Sequence, residues 1–201
     1  YNVDAEVLEH CWYYSALRFA RFMAKELKNK KYDAFLAERM QLIESTFHLR
    51  YWKDGRYASS DVTDDRANAM AVLAGLCPPE CFESVRYVLL SVFNSSTYME
   101  NYVLTALCEM GYTRDAFVRM MSRYQPLIRN ENSTLWEDFY HLGTKNHAWS
   151  GAPATILIRY FAGVKLDLSL ADTSAIAPLN SLYCEIGQGE KHICVRKEKG
   201  K

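Results

Sequence analysis

Residues 64–75 constrain the fold more than any other stretch. After Asn68 the segment reads Ala69, Met70, Ala71, Val72, Leu73 and Ala74, with no polar face. A helix without a polar side has to be covered all round, so the chain must build helices in more than one layer about it. Gly75 is placed to stop this helix, and Pro78 and Pro79 prevent its continuation. Asp64 and Asp65 stand at its start. They suit the cap and the positive end of the helix dipole; the functional alternative is a polar contact at the mouth of a central cavity.

Six further segments carry a helical apolar period. Residues 2–28 place Leu8, Trp12, Ala16, Phe19, Met23 and Leu27 three or four apart, and residues 33–50 align Leu36, Met40, Ile43 and Phe47. Residues 79–93 begin at Pro79 and turn Val85, Val88, Leu89 and Val92 inward. Residues 97–110 show the cleanest stripe: Met99, Tyr102, Val103, Ala106, Leu107 and Met110, ended by Gly111. Thr113 is placed to cap 113–128, whose apolar positions are Phe117, Met120, Met121, Tyr124 and Ile128. The last helix spans 152–162, with Pro153 early and Gly163 after it. The joints are mostly short, as between antiparallel neighbours. The exceptions are 51–63, a turn-centred loop at its start, and 130–151; long loops on a helical scaffold are where function tends to sit.

After Gly163 the period changes. Val164, Leu166 and Leu168 alternate with Lys165, Asp167 and Ser169, which predicts a strand, and residues 183–186 and 192–195 predict a hairpin about Gly187-Gln188-Gly189. The expected organisation is thus a helical region over 1–163 and a small β segment over 164–201.

Composition excludes several classes. The chain has 24 basic and 24 acidic side chains, which argues against a nucleic-acid binder. No run approaches the length of a membrane helix, so no membrane partner is expected. No signal peptide is visible in these residues, and the first residue is Tyr1, so we expect the chain to start within a longer frame or after processing. Cys77 and Cys81 have the wrong spacing for a metal ribbon, and the histidines His10, His48, His141 and His192 show no ligand spacing. No metal site is expected. With no Gly-rich phosphate loop, no cofactor is expected either. Free buried thiols are the default for the six cysteines, with a Cys184–Cys194 pair across the hairpin as the alternative.

The residues that carry chemistry lie in the second long loop. Glu137 follows Ser133-Thr134-Leu135-Trp136. An adjacent indole lowers the local dielectric, which raises a carboxyl pKa and makes a stronger base. The other reading is a capping box closed by Glu137 on Ser133 or Thr134. His147, in Asn146-His147-Ala148-Trp149-Ser150-Gly151, is suited to bind a hydroxyl, or is a satisfied structural histidine. Trp149 precedes a helix N-terminus, where backbone N–H groups are free. Tyr98 and Glu100, at the start of 97–110, share the two readings of Asp64 and Asp65.

Three stretches together resemble the bacterial α-L-rhamnosidases of glycoside hydrolase family 78. They are Asp64-Asp65-Arg66-Ala67-Asn68-Ala69 with Ala71 to Gly75, then Tyr98-Met99-Glu100 with Tyr102-Val103-Leu104 and Met110-Gly111-Tyr112, then Ser133 to Glu137 with Asn146 to Gly151. The resemblance covers most of residues 1–163. It implies a mainly α fold, the (α/α)6 toroid of six helical hairpins about a central pocket, with this chain as roughly its second half. It also implies an inverting mechanism, in which an acid protonates the leaving oxygen and a base activates water across a gap of roughly 6.5–9.5 Å. By resemblance Glu137 is the base, His147 contacts the sugar, and Trp136 and Trp149 help wall the pocket; Asp64 and Asp65 stand beside them as substrate-binding candidates on the cavity-mouth reading. The substrate implied is a glycoside with terminal α-L-rhamnose.

The family's acid lies in an Asp-Cys-Pro segment, and none occurs here. The chain alone is therefore expected to be inactive or nearly so, and to need the other half of the toroid or to self-associate. A non-catalytic sugar- or partner-binding helical module, and a toroid hydrolase for another sugar, are the alternatives. The compartment stays open between bacterial cytoplasm and periplasm.

Overall fold

A computed structural model of the chain describes residues 2–129, 134–140, 142–171, 179–189 and 191–198. It divides into two compact units, Tyr1–Ser95 and Ser96–Lys201.

The first unit begins with α1 (Ala5–Glu26) and α2 (Lys30–Tyr51). Asp4 caps α1 by accepting from Val7 N–H, and Asn29 caps α2 by accepting from Tyr32 N–H. α1 packs on α2 and on α3 (Asp65–Ala74). Along α2 the expected stripe is inward: Met40, Ile43 and Phe47 are buried. Along α1 it is not. The buried residues there are Val7, Cys11, Tyr14, Leu17 and Ala24, whereas Trp12, Phe19, Met23 and Leu27 are 42–74 % exposed. α1 therefore carries two apolar faces, and the more conspicuous one in the sequence is the uncovered one.

The start of the 51–63 loop is more ordered than a loop. β1 (Trp52–Lys53) and β2 (Arg56–Tyr57) pair antiparallel, Trp52 opposite Tyr57. The turn between them holds Asp54 at φ 49° and Gly55 at φ 78°, and Asp-Gly is a dipeptide that adopts this doubly positive turn readily.

α3 is covered as the sequence demands, with Asp65 to Ala71 buried without a break. Gly75 closes it in the left-handed conformation, which a side chain would strain. α4 (Phe82–Ser91) follows a short 3₁₀ turn and buries Val85, Val88 and Leu89.

A buried polar network ties these pieces together. Asp64 accepts from Arg66 Nε at 2.7 Å and from the Asp4 N–H at 2.9 Å. Asp4 in turn accepts from both the N–H and the hydroxyl of Ser59 at 2.7 Å. Asn68 accepts from Tyr57 N–H at 2.8 Å and donates to the carbonyls of Tyr57, at 3.1 Å, and Asp64, at 2.9 Å. One amide thus closes the backbone of β2 that α3 buries.

The second unit holds α5 (Thr97–Glu109), α6 (Thr113–Ile128) and α7 (Ala152–Ile156). Thr113 lies inside the first turn of α6 rather than at its cap, which is Tyr112. α7 widens into a π-helical turn, Leu157–Ala162, and stops at Gly163 with φ 79°. The strand expected from Val164 does not form. Val164 bridges Leu170, and the residues between turn back, with the Asp167 carboxylate taking the Ser169 N–H and hydroxyl and Leu168 at φ 63°. A two-residue alternation fits a turn whose carboxylate captures the backbone as well as it fits a strand.

β3 (Ser181–Gln188) and β4 (Lys191–Glu198) form the expected hairpin. Its Leu182, Cys184, Ile186, Ile193 and Val195 pack on Ile158, Ala162 and Val164. Cys184 stands opposite Val195, and Cys194 opposite Glu185. This one-residue offset turns the two thiols to opposite faces, and all six cysteines are free.

Asn68→Leu keeps the volume and strands the Tyr57 N–H and carbonyl without partners. Each such buried group costs about 1–3 kcal/mol. Urea unfolding should show a loss of about 2–4 kcal/mol, and a near-neutral result would refute the network's structural role.

Candidate active site

The loop between α6 and α7 folds back on itself. Glu137 N–H donates to the Thr144 carbonyl at 2.9 Å, and His147 N–H donates to that of Leu135, also at 2.9 Å. These rungs bring Glu137 and His147, ten positions apart in the chain, to the same end of the loop. Thr134 to Tyr140 form no helix, so Glu137 is not part of a capping box; Ser133, the other candidate cap, lies outside the described residues, as does His141.

Contacts within the loop and to the neighbouring helices hold it in place. The Glu137 carbonyl accepts from the Thr97 hydroxyl at the start of α5 and from Trp149 Nε1 at 3.2 Å. Ser150 Oγ donates to the Trp136 carbonyl at 2.5 Å. Phe139 meets Tyr124 edge-on, with centroids 5.1 Å apart, and lies 3.9 Å beneath the Arg123 guanidinium. Arg123 and Arg119 both grip the fully buried Glu100, at 2.7 Å each. Glu100 is therefore an internal ionic tie between α5 and α6.

The Glu137 side chain is about one-third exposed, at 32 %. Its Oε2 accepts from the Thr144 N–H at 2.9 Å and from the Thr144 hydroxyl at 3.0 Å. His147 Nδ1 lies 3.7 Å from Oε2 and 2.9 Å from Thr144 Oγ1. The two Thr144 hydrogen bonds, helped by His147, hold the carboxyl below its ordinary 4.5. This reverses the expected direction. The indole of Trp136 does not set the value, because direct donors on an exposed carboxylate outweigh its slight desolvation. Gly143 makes the arrangement possible: at φ 71°, a Cβ there would lie 2.5 Å from Oε2.

Trp136 is buried, with Lys145 Nζ 5.3 Å from its ring. Trp149 is 45 % exposed and lies against the His147 ring, with centroids 4.2 Å apart. Beside it an open hollow of about 280 Å³ is lined by Tyr98, Asn101, Ala148, Trp149, Gly151 and Thr155. Asp64 and Asp65 belong to the first unit. Both are fully buried, Asp64 held by Arg66 and Asp4 and Asp65 accepting from the Ser95 N–H at 3.3 Å.

Gly143, Thr144 and Thr97 were not singled out by sequence reasoning. The signal available was a Gly-Thr pair between Glu137 and His147, which matters only once the loop is closed. Among the described residues no three His, Cys, Asp or Glu side chains are grouped to hold a metal ion, and no helix is long and apolar enough to cross a membrane.

The family model described as the bacterial alpha-L-rhamnosidase 6 hairpin glycosidase domain matches residues 2–161. Among solved structures, the chain resembles a GH78 family rhamnosidase of Bacillus sp. GL1, with a TM-score of 0.65 and 23 % identity over 77 % of this chain. It spans 19 % of that protein's length. No curated protein matches it.

Because the Glu137 carboxyl is lowered, its stabilising bonds to the loop are complete above 4.5 and are lost as pH falls through the lower folded value. Gly143→Ala should displace the carboxylate, bring its titration by carboxyl ¹³C NMR up towards 4.5, and add a backbone strain of about 1–2 kcal/mol. An unchanged titration would show that the close approach of Gly143 is immaterial.

Proposed function

Because the chain belongs to the bacterial α-L-rhamnosidase 6 hairpin glycosidase domain family, we propose that it supplies the water-activating side of an inverting glycosidase pocket. Glu137 is the general base. It takes a proton from a water that attacks the anomeric carbon, while an acid on the opposite face protonates the leaving oxygen. His147 binds a sugar hydroxyl, Trp149 borders the pocket, and the hollow beside it receives part of the glycoside, a terminal α-L-rhamnoside. The acid comes from helices other than those described, since no Asp-Cys-Pro segment occurs in the chain. Residues 1–163 then belong to the helical toroid, and 164–201 begin a β segment.

The observation that carries this reading is the Glu137 carboxylate, one-third exposed, fixed through one oxygen and ionised at neutral pH. A base must be ionised before it acts. The same lowered pKa also makes it a weaker base, which favours, as the second reading, a site that holds a sugar without cutting it.

Two measurements test this, and the second separates the two readings. The chain alone should hydrolyse an aryl α-L-rhamnoside at or near background, and rapid turnover would overturn the missing acid. In a form of the enzyme that contains the acid, Glu137→Gln should lower kcat by about 10²–10⁴ with rhamnose affinity largely kept. An unchanged kcat favours the binding module.

The exposed α1 face of Phe19, Met23 and Leu27 is where we place a neighbouring helical hairpin of the toroid, since apolar patches of this kind mark contact surfaces. The isolated chain should self-associate in sedimentation, and Phe19→Glu with Met23→Glu should abolish this without loss of helicity. A wild-type monomer at high micromolar concentration would refute the assignment.

A further inference from the structure

Thr144 stands between the two residues assigned to chemistry, and its hydroxyl has one proton for two partners. Oγ1 lies 3.0 Å from Glu137 Oε2 and 2.9 Å from His147 Nδ1. A carboxylate accepts hydrogen bonds and donates none. With Glu137 ionised, the hydroxyl proton must go to Oε2. Thr144 Oγ1 is then an acceptor towards His147, and Nδ1 must carry a hydrogen.

We propose that Thr144 is a positioning residue that holds neutral His147 as its Nδ1–H tautomer, so that Nε2 faces outward as a bare acceptor, and that confines Glu137's free basicity to Oε1. Among the described residues neither Oε1 nor Nε2 has a hydrogen-bond partner within the chain. The second ring nitrogen is set by what the first one bonds, and here the first is committed by a single hydroxyl. The Trp149 ring, its centroid 4.2 Å from that of His147, crowds the ring flip that would put Cδ2 in the place of Nδ1.

The consequence is a polarity. A sugar hydroxyl meeting neutral His147 must donate to Nε2 rather than accept from it. A hydroxyl that donates there keeps its own lone pairs for other donors, and an analogue with fluorine in its place loses the contact entirely. This rests on the reading of Glu137 and His147 as a glycosidase pair, but the arrangement of protons does not require a sugar to be measured.

The test is ¹⁵N NMR of the histidine-labelled chain above the histidine titration range, with His147 identified by its loss in His147→Asn. The Nδ1 resonance should be of the protonated type and Nε2 of the bare type, the form that a free neutral histidine side chain disfavours. Thr144→Ser should keep that signature. Thr144→Val, which preserves shape and backbone N–H, should shift His147 towards the Nε2–H form and raise the Glu137 titration. A wild-type Nε2–H tautomer, or an unchanged spectrum in Thr144→Val, would overturn the proposal. Adding L-rhamnose then bears on function separately. If the tautomer is as stated and rhamnose leaves Nε2 unmoved, the positioning role stands and the glycosidase reading loses its sugar contact.

Discussion

A buried carboxylate gripped by two guanidinium groups underlies the arrangement of the second unit. Glu100 is fully buried, and Arg119 and Arg123 reach it from the next helix. Replacing such a cluster with apolar side chains is often neutral or even stabilising, because removing charges from water is costly. Its value is geometric. It fixes the register of α5 against α6, and Arg123 goes on to cover Phe139 at 3.9 Å. The loop bearing Glu137 is thus seated on a charged group that cannot relax without exposing a buried charge. The Tyr124 hydroxyl reinforces this by donating to the Thr97 carbonyl at 3.0 Å, beside the hydroxyl that holds the loop.

Much of the helical fold was legible, because a period of 3.6 survives whatever the neighbours do. α3 is the clearest case: its apolar run, its terminal acids and its glycine stop all point one way. α1 shows the limit. Two apolar stripes run along it, and period alone does not say which one the unit covers. The β1–β2 hairpin was signalled by Asp54-Gly55 but is only two residues a side, too short for alternation to register. The strand expected at Val164 failed for the opposite reason: alternation was present, and Asp167 captured the backbone first.

The candidate site was opaque to sequence in its electrostatics. Glu137 and His147 do meet, and the family match covers both. The direction of the Glu137 pKa could not be read from Trp136, its neighbour in sequence, because the groups that govern it lie seven residues on and arrive only when the loop closes. Successive residues of an extended segment face opposite ways, and here Trp136 goes inward while Glu137 stays at the surface. Adjacency in sequence is a poor guide to dielectric in such a segment.

One carbonyl oxygen has a wider reach than its size implies. The main chain of Glu137 receives the Thr97 hydroxyl and the Trp149 indole together, so the start of α5, the loop bearing Glu137 and the approach to α7 converge on a single acceptor. Segments joined in this way open together or not at all, as one cooperative unit in amide exchange. A stretch with little regular secondary structure thereby acquires the lifetime of the helices at its two ends, and the carboxylate it carries moves on their timescale rather than on that of a loop.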